Sequence, residues 1–208
     1  MKITIDGPAG SGKSTVAKLL ADELGFFYID SGSLYRSFAW YLEDVAVNDD
    51  TINNFKIDYI WEDGKAILKL GGVNISEKIR SEKISKRASE IASLEIVRNL
   101  VTRLQHEIAV DHDIIIEGRD AGTVVFPDAD VKFFLTASIK ARTKRRALEL
   151  ESKGEMVDFP QLEKAIQKRD FKDINRKIAP LIKAEGAIEV NTDGLKISEV
   201  VEFLKWRV

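Results

Sequence analysis

The run Gly7-Pro8-Ala9-Gly10-Ser11-Gly12-Lys13-Ser14 fits the spacing G-x-x-x-x-G-K-[ST] at every position. Glycines so spaced let a backbone wrap closely, so that several N–H groups face phosphate oxygens, and a following helix adds the positive end of its dipole. In such a loop Lys13 reaches the β- and γ-phosphates of a nucleoside triphosphate, and the Ser14 hydroxyl is a ligand for Mg²⁺. Thr15 stands next, with a hydroxyl for the α-phosphate. The bland alternative is a glycine-rich turn beside a chance lysine. Context opposes it: an apolar strand pattern ends at Asp6, and an amphipathic helical pattern begins within the motif.

A triphosphate loop does not say what receives the phosphate. No N-K-x-D guanine signature is present, and the only D-x-x-G, Asp22 to Gly25, falls at the end of the loop helix, too far to sense a γ-phosphate. A motor-type ATPase would be longer and would carry an apolar strand ending in Asp-Glu. The chain instead scatters arginines along its length, as a protein that holds two polyphosphates together requires.

The elements that must position these groups follow from periodicity. Apolar runs at Lys2 to Asp6, Phe26 to Ile29, Ile114 to Glu117, Val131 to Leu135 and Ala187 to Val190 read as parallel strands buried on both faces. Helical patterns cover Lys13 to Leu24 (stopped by Gly25), Ser33 to Glu43, Ser81 to Ala92, Leu94 to Val110, Ser138 to Lys153, Phe159 to Lys172 and Ile197 to Trp206. Strands alternating with helices make an α/β fold. One stretch breaks the alternation: Phe55 to Trp61 and Ala66 to Leu70 flank Asp63-Gly64, a hairpin signal, and Gly71 to Ile75 adds a third short strand.

With 208 residues, 44% of them hydrophobic, the chain can bury one domain's core. Its net charge of -2 makes the whole surface no magnet for nucleic acid or membrane, and the lack of cysteine excludes disulfides and thiolate zinc sites. No apolar run approaches the ~20 residues of a membrane span. Met1 to Asp6 lacks the features of a signal peptide and reads as the first strand of a cytoplasmic protein.

Three further segments resemble those of the bacterial cytidylate kinase family. Asp30-Ser31-Gly32-Ser33-Leu34-Tyr35-Arg36 is similar to its D-S-G-x-x-Y-R, and Gly118-Arg119-Asp120-Ala121-Gly122-Thr123-Val124-Val125-Phe126-Pro127 to its G-R-D-x-G-T-x-V-x-P. Arg169-Asp170-Phe171-Lys172-Asp173-Ile174-Asn175-Arg176, with Ala179-Pro180-Leu181 beyond, is similar to its R-D-x-x-D-x-N-R…A-P-L. The resemblance implies a P-loop NTPase fold: a five-stranded parallel sheet flanked by helices, with a small antiparallel insert and a helical lid. It implies a single domain over 1–208, with a core at about 1–30, 112–137 and 177–208, a monophosphate-binding region at about 31–111 and a lid at about 138–176. The activity it implies is transfer of the γ-phosphate of MgATP to CMP and dCMP, by a cytoplasmic monomer with no nucleic-acid or membrane partner.

Residue by residue, the resemblance gives the acceptor's phosphate to Ser31, Arg36 and Arg119. Forked, charge-assisted arginine donors suit a dianion. It gives cytosine to Ser89, Arg98, Asp120 and Arg176, with Asp120 accepting from the exocyclic amine and arginines donating to N3 and O2. Arg169 and Asp173, four residues apart on one helical face, take the ribose, and Arg142, Arg145 and Arg146 cover the donor phosphates. Lys13, Arg119 and Arg176 are the catalytic cations. Plainer readings stand beside these: solvated helix charges for the lid arginines, ordinary polar positions for Ser89 and Arg98, a surface pair for Arg169 and Asp173. Glu117 either orients water on Mg²⁺ or is a strand-end charge. His106 and His112 read as ordinary polar positions, and Trp40, Trp61 and Trp206 as packing residues. The rival functions are a uridylate or adenylate kinase of the same fold, or an ATP-binding regulator or RNA binder using the basic run from Lys164 to Lys183.

Overall fold

The computed structural model describes residues 1–152 and 154–208. Five parallel strands form the main sheet: β1 (Lys2–Asp6), β2 (Phe27–Asp30), β6 (Ile114–Gly118), β7 (Val131–Thr136) and β8 (Ile188–Asn191), in the order β2-β6-β1-β7-β8. A second sheet, β3 (Ile57–Glu62), β4 (Lys65–Leu70) and β5 (Val73–Asn74), is antiparallel. Its turn at Asp63-Gly64 has both residues at positive φ, 50° and 67°, the geometry that matches a tight hairpin to the twist of its strands.

Burial on both faces holds for β1 beyond Lys2 and for β6, but not for β7 and β8, whose residues alternate between buried and more accessible. The central strands are covered by helices on both sides, whereas β8 is an edge strand. On one face Ile3, Ile5, Tyr28 and Ile115 pack against α1 (Lys13–Leu24) and α8 (Ile197–Lys205). On the other, Ile29, Ile114 and Ile116 pack with α2 (Ser31–Leu42), α4 (Glu82–Ile91) and α5 (Glu95–Ile108). The helices α6 (Ile139–Glu151) and α7 (Phe159–Asn175) pack against each other.

Differences from the sequence expectation have local causes. Helix α2 starts at Ser31, two residues early, because the Asp30 carboxylate accepts the Ser33 amide at 2.9 Å and caps the helix. A short helix, α3 (Asp49–Asn54), was not expected; it begins in a capping box between Asn48 and Thr51. Helix α7 runs on to Asn175, so Asp173 lies within it and Arg176 caps it. The helix expected to reach Lys153 ends at Glu151, and Lys153 lies outside the described residues. Trp206 is 82% exposed and packs little, unlike Trp61, which meets the Tyr28 ring at 5.1 Å.

Candidate active site

Strand β1 delivers the chain into the loop of residues 7–14, and α1 leaves it. Gly7 sits at φ 147°, and a β-carbon there would lie 2.0 Å from the Leu135 carbonyl oxygen of β7, so only glycine fits. Gly12, at φ 93°, caps α1 in a left-handed conformation that points the helix start into the loop. Lys13 is buried at this turn, and its ammonium donates to the Pro8 carbonyl at 2.7 Å and lies 3.4 Å from the Ser11 hydroxyl. Burial, reinforced by the charge of Arg119, lowers its pKa to about 7, against the pull of Glu117 and Asp6. A negative ligand would restore its charge.

Ser14 donates its hydroxyl to Glu117 Oε1 at 2.7 Å. A hydroxyl and a carboxylate side by side are hard oxygen donors, the set that suits Mg²⁺ when phosphates and water complete its shell. Thr15 is exposed beside them on α1.

Across from the loop, β2 and β6 end side by side, with Asp30 paired in register to Glu117. Ser31 begins α2 with its hydroxyl buried, no partner among the described residues, and close to Gly118, where an added β-carbon would come within 3.2 Å. Arg36, one turn on, gives Nη2 to Asp30 at 2.9 Å and keeps a buried, unpartnered Nε. Buried polar atoms ordinarily have partners, so these two mark a place built for a polar ligand. Arg119 follows β6 and donates Nε to Asp173 of α7 at 3.0 Å. Burial disfavours the Arg119 charge most, yet Asp173 and Glu117 together outweigh it and raise the pKa. Arg169, on the same helix face as Asp173, has no ion-pair partner among the described residues. Surrounding protein, then Arg119, lowers it to about 10, although part of the side chain is open to solvent, which screens such effects.

Beside this cluster Asp120 bridges two arginines. Its Oδ2 accepts from Arg98, and its Oδ1 from Arg176 Nη2 at 3.0 Å. Each arginine is also tied to a carbonyl: Arg98 to Ala92 at 3.0 Å and Arg176 to Ala179 at 2.5 Å. Three elements, α5, the end of β6 and the end of α7, thus converge on one carboxylate. Ser89 on α4 is half-buried and is not joined to this network by a hydrogen bond.

The three arginines expected to cover the donor phosphates divide. Arg142 is buried and pairs with Asp170 of α7 at 2.5 Å, while its Nη1 also donates to the Ala9 carbonyl at 3.0 Å. Asp170 Oδ1 stands 3.4 Å from the Ala9 amide, so α6 and α7 together grip one residue of the phosphate loop. Arg145 forks onto Thr192 and lies near Gly12, and Thr192 Oγ1 reaches the Ser11 carbonyl at 3.2 Å. Arg146 instead pairs with Glu149 on the surface, at 2.6 Å.

Sequence reasoning gave no role to Asp6, Asp30, Asp170 or Thr192. Asp6 accepts the amides of Gly122 and Ala121 at 2.7 and 2.9 Å, and so holds the π-helical turn Ala121–Val125 that follows Asp120. Burial raises its carboxyl to about 6 despite these donors. Its place immediately before the loop, at the end of an apolar strand, was the available signal; Asp30, three residues before Ser33, carried the signal of a helix cap, whereas Asp170 and Thr192 act through partners distant in sequence.

A parallel sheet with a glycine-rich phosphate loop after its first strand defines the class of P-loop nucleotide-binding proteins. A shikimate kinase structure from Bacteroides thetaiotaomicron aligns with a TM-score of 0.51 and 16% identity, covering 100% of this chain and 97% of that one, a likeness of fold alone. The family model for cytidylate kinase matches residues 3–206, and the chain belongs to that family of nucleoside monophosphate kinases. The cytidylate kinase of Lactobacillus johnsonii is 43% identical, over 97% of this chain and 90% of that protein. That of Fervidobacterium nodosum is 44% identical, over 97% and 93%. A bifunctional pantoate ligase/cytidylate kinase of Prochlorococcus marinus is 46% identical over 97% of this chain, which spans 41% of that larger protein. No helix among the described residues is long and apolar enough to cross a membrane.

Proposed function

We propose that the protein transfers the γ-phosphate of MgATP to CMP, and to dCMP, giving ADP and CDP or dCDP. The observation that carries this reading is that the end of β6 touches both sides of the site: Glu117 accepts from Ser14 of the phosphate loop at 2.7 Å, Gly118 lies against the Ser31 hydroxyl, and Arg119 follows at once. A cation set suited to a triphosphate and one suited to a monophosphate are therefore brought together at one strand end.

In this reading residues 7–15 hold ATP, and Ser14, with Glu117 beside it, holds Mg²⁺. When bound, the ion neutralises charge on the donor phosphates. Ser31, Arg36 and Arg119 hold the acceptor phosphate, while Arg169 and Asp173 take the ribose. The acceptor oxygen is anionic near neutral pH, so no general base is needed. Catalysis is positioning and charge stabilisation by Lys13, Arg119 and Arg176 as charge spreads over the moving phosphoryl group. Arg142 and Arg145, near the loop, close over the donor and exclude water.

Asp120 reads the base. Held by Arg98 and Arg176, it keeps lone pairs for the cytosine amine, while the arginines offer donors to N3 and O2. Uracil would present a carbonyl to the carboxylate and be repelled. Ser89 contributes once the base is bound. The protein acts as a cytoplasmic monomer on free nucleotides. The test is a panel of CMP, dCMP, UMP, AMP and GMP with MgATP in a coupled ADP assay. CMP and dCMP should give the highest kcat/KM; a preference for AMP or UMP would overturn the assignment.

A further inference from the structure

The antiparallel sheet β3-β4-β5 lies outside the main sheet, yet it reaches the far end of α1 and the end of β2, where the acceptor side of the site begins. Its turn meets the loop helix: a β-carbon on Gly64 would lie 2.8 Å from Asp22 Oδ2 of α1. Trp61 packs on Tyr28, Leu68 is buried in the core, and Ala66 packs against the cores on both faces of the main sheet. Strand β3 is thereby fixed against the edge strand β2.

Tyr59 of β3 uses that fixed position. The Asp30 amide, at the end of β2, donates to the Tyr59 hydroxyl at 2.8 Å. The phenol is packed beside Phe27, with ring centroids 6.0 Å apart, and burial raises its pKa well above the usual range. It is a neutral, fixed acceptor. The Ser33 hydroxyl donates to the Asp30 carbonyl at 2.7 Å. The Asp30 backbone is thus held at both N–H and C=O. Its carboxylate is used on both oxygens, Oδ1 for the Ser33 amide at 2.9 Å and Oδ2 for Arg36 Nη2 at 2.9 Å. What remains uncommitted at this corner is the buried Nε of Arg36 and the buried hydroxyl of Ser31.

We propose that Tyr59 is a positioning residue for the acceptor phosphate: its hydroxyl fixes Asp30, and Asp30 aims Arg36 and the first turn of α2. The inserted sheet is then a strut for the acceptor side. This inference rests on the reading of Arg36 as a phosphate ligand. Removing the hydroxyl leaves the Asp30 amide without its acceptor at an enclosed position and lets the cap and the Arg36 fork drift.

The test is Tyr59→Phe, which keeps the ring and its packing. KM for CMP should rise roughly fivefold to thirtyfold, while kcat and KM for ATP stay within about twofold. Asp30→Asn, which keeps a capping side chain but loses the charge facing Arg36, should raise KM for CMP in the same way. Introduced into an Arg36→Ala background, Tyr59→Phe should raise KM for CMP by clearly less than it does alone, since only the share that acts through the first turn of α2 is left, yet shift the thermal midpoint by as much as it does alone. A merely structural tyrosine would give additive effects on KM, and that result overturns the proposal. So does an unchanged KM for CMP in Tyr59→Phe when Arg36→Ala raises it. If Arg36→Ala itself leaves KM for CMP unchanged, the acceptor reading of Arg36 fails, and this inference with it.

Discussion

Lys13 carries its charge in a place that penalises it, and the consequence can be counted in protons. With its pKa lowered from 10.5 to about 7 in the folded chain, Lys13 is about one quarter protonated at pH 7.5. A bound polyphosphate favours the charged form and returns the group toward its ordinary range. Nucleotide binding at pH 7.5 should therefore take up about 0.8 proton at this site, falling to about 0.1 at pH 6, where the lysine is already charged. Titration calorimetry of MgATP binding in buffers of different ionisation enthalpy measures this number as a slope. A Lys13→Arg variant, always charged, removes the lysine's share and cancels any proton released by the nucleotide itself. The difference between wild type and variant should be close to 0.8 at pH 7.5 and vanish toward pH 6. Equal slopes at pH 7.5 would refute the reasoning. The same shift sets a sign for stability. Between about 7 and 10.5 the unfolded chain binds more protons at this lysine than the folded one, so its contribution to stability rises with pH across that window and is lowest below it.

Asp120→Ala removes the acceptor offered to the cytosine amine, and the ratio of kcat/KM for CMP over UMP should fall by about 10- to 100-fold, the worth of one hydrogen bond to a charged group; an unaltered ratio removes Asp120 from base reading. Asp170→Asn leaves buried Arg142 facing a neutral amide, and urea unfolding should show a loss of about 3–5 kcal/mol. A loss below about 1 kcal/mol would mean that Arg142 finds water, and that the clamp on Ala9 is not held by this pair. Gly7→Ala puts a β-carbon into the Leu135 carbonyl, and thermal unfolding should report a loss above about 4 kcal/mol or no folded protein.

The phosphate loop was legible because its chemistry is local: glycine spacing, a strand before it and a helix after it are all contiguous. The central strands β1 and β6 were legible for a related reason, since burial on both faces leaves a continuous apolar run. Edges were less so. The strand expected at Phe26 begins at Phe27, and the one expected at Ala187 begins at Ile188: in each case the residues on either side of the boundary are apolar and equally half-buried, so no change of pattern marks where the ladder starts. Helix α3 is polar and six residues long, too short to show a period, although its Asn48–Thr51 box was a readable start signal. The site divides in the same way. Arg36 and Arg119 could be singled out because they follow strand ends, where open α/β sheets collect ligands. Contacts such as Arg142 with Asp170, Asp6 with the turn after Asp120, and Tyr59 with Asp30 join residues 28 to 116 positions apart, and no period in the sequence records them. Arg146 shows the reverse: it shares a helix and a charge with Arg142 and Arg145, and only its facing, toward Glu149, sets it apart.

The central claim is that two anion sites meet so that a phosphoryl group passes directly from one nucleotide to the other. Following the γ-phosphate with isotope-labelled ATP in the presence of CMP tests it most directly. The label should appear as the β-phosphate of CDP, one for each ADP formed, with negligible ADP made when CMP is left out. Label recovered as inorganic phosphate, or ADP production that does not depend on CMP, would contradict the account.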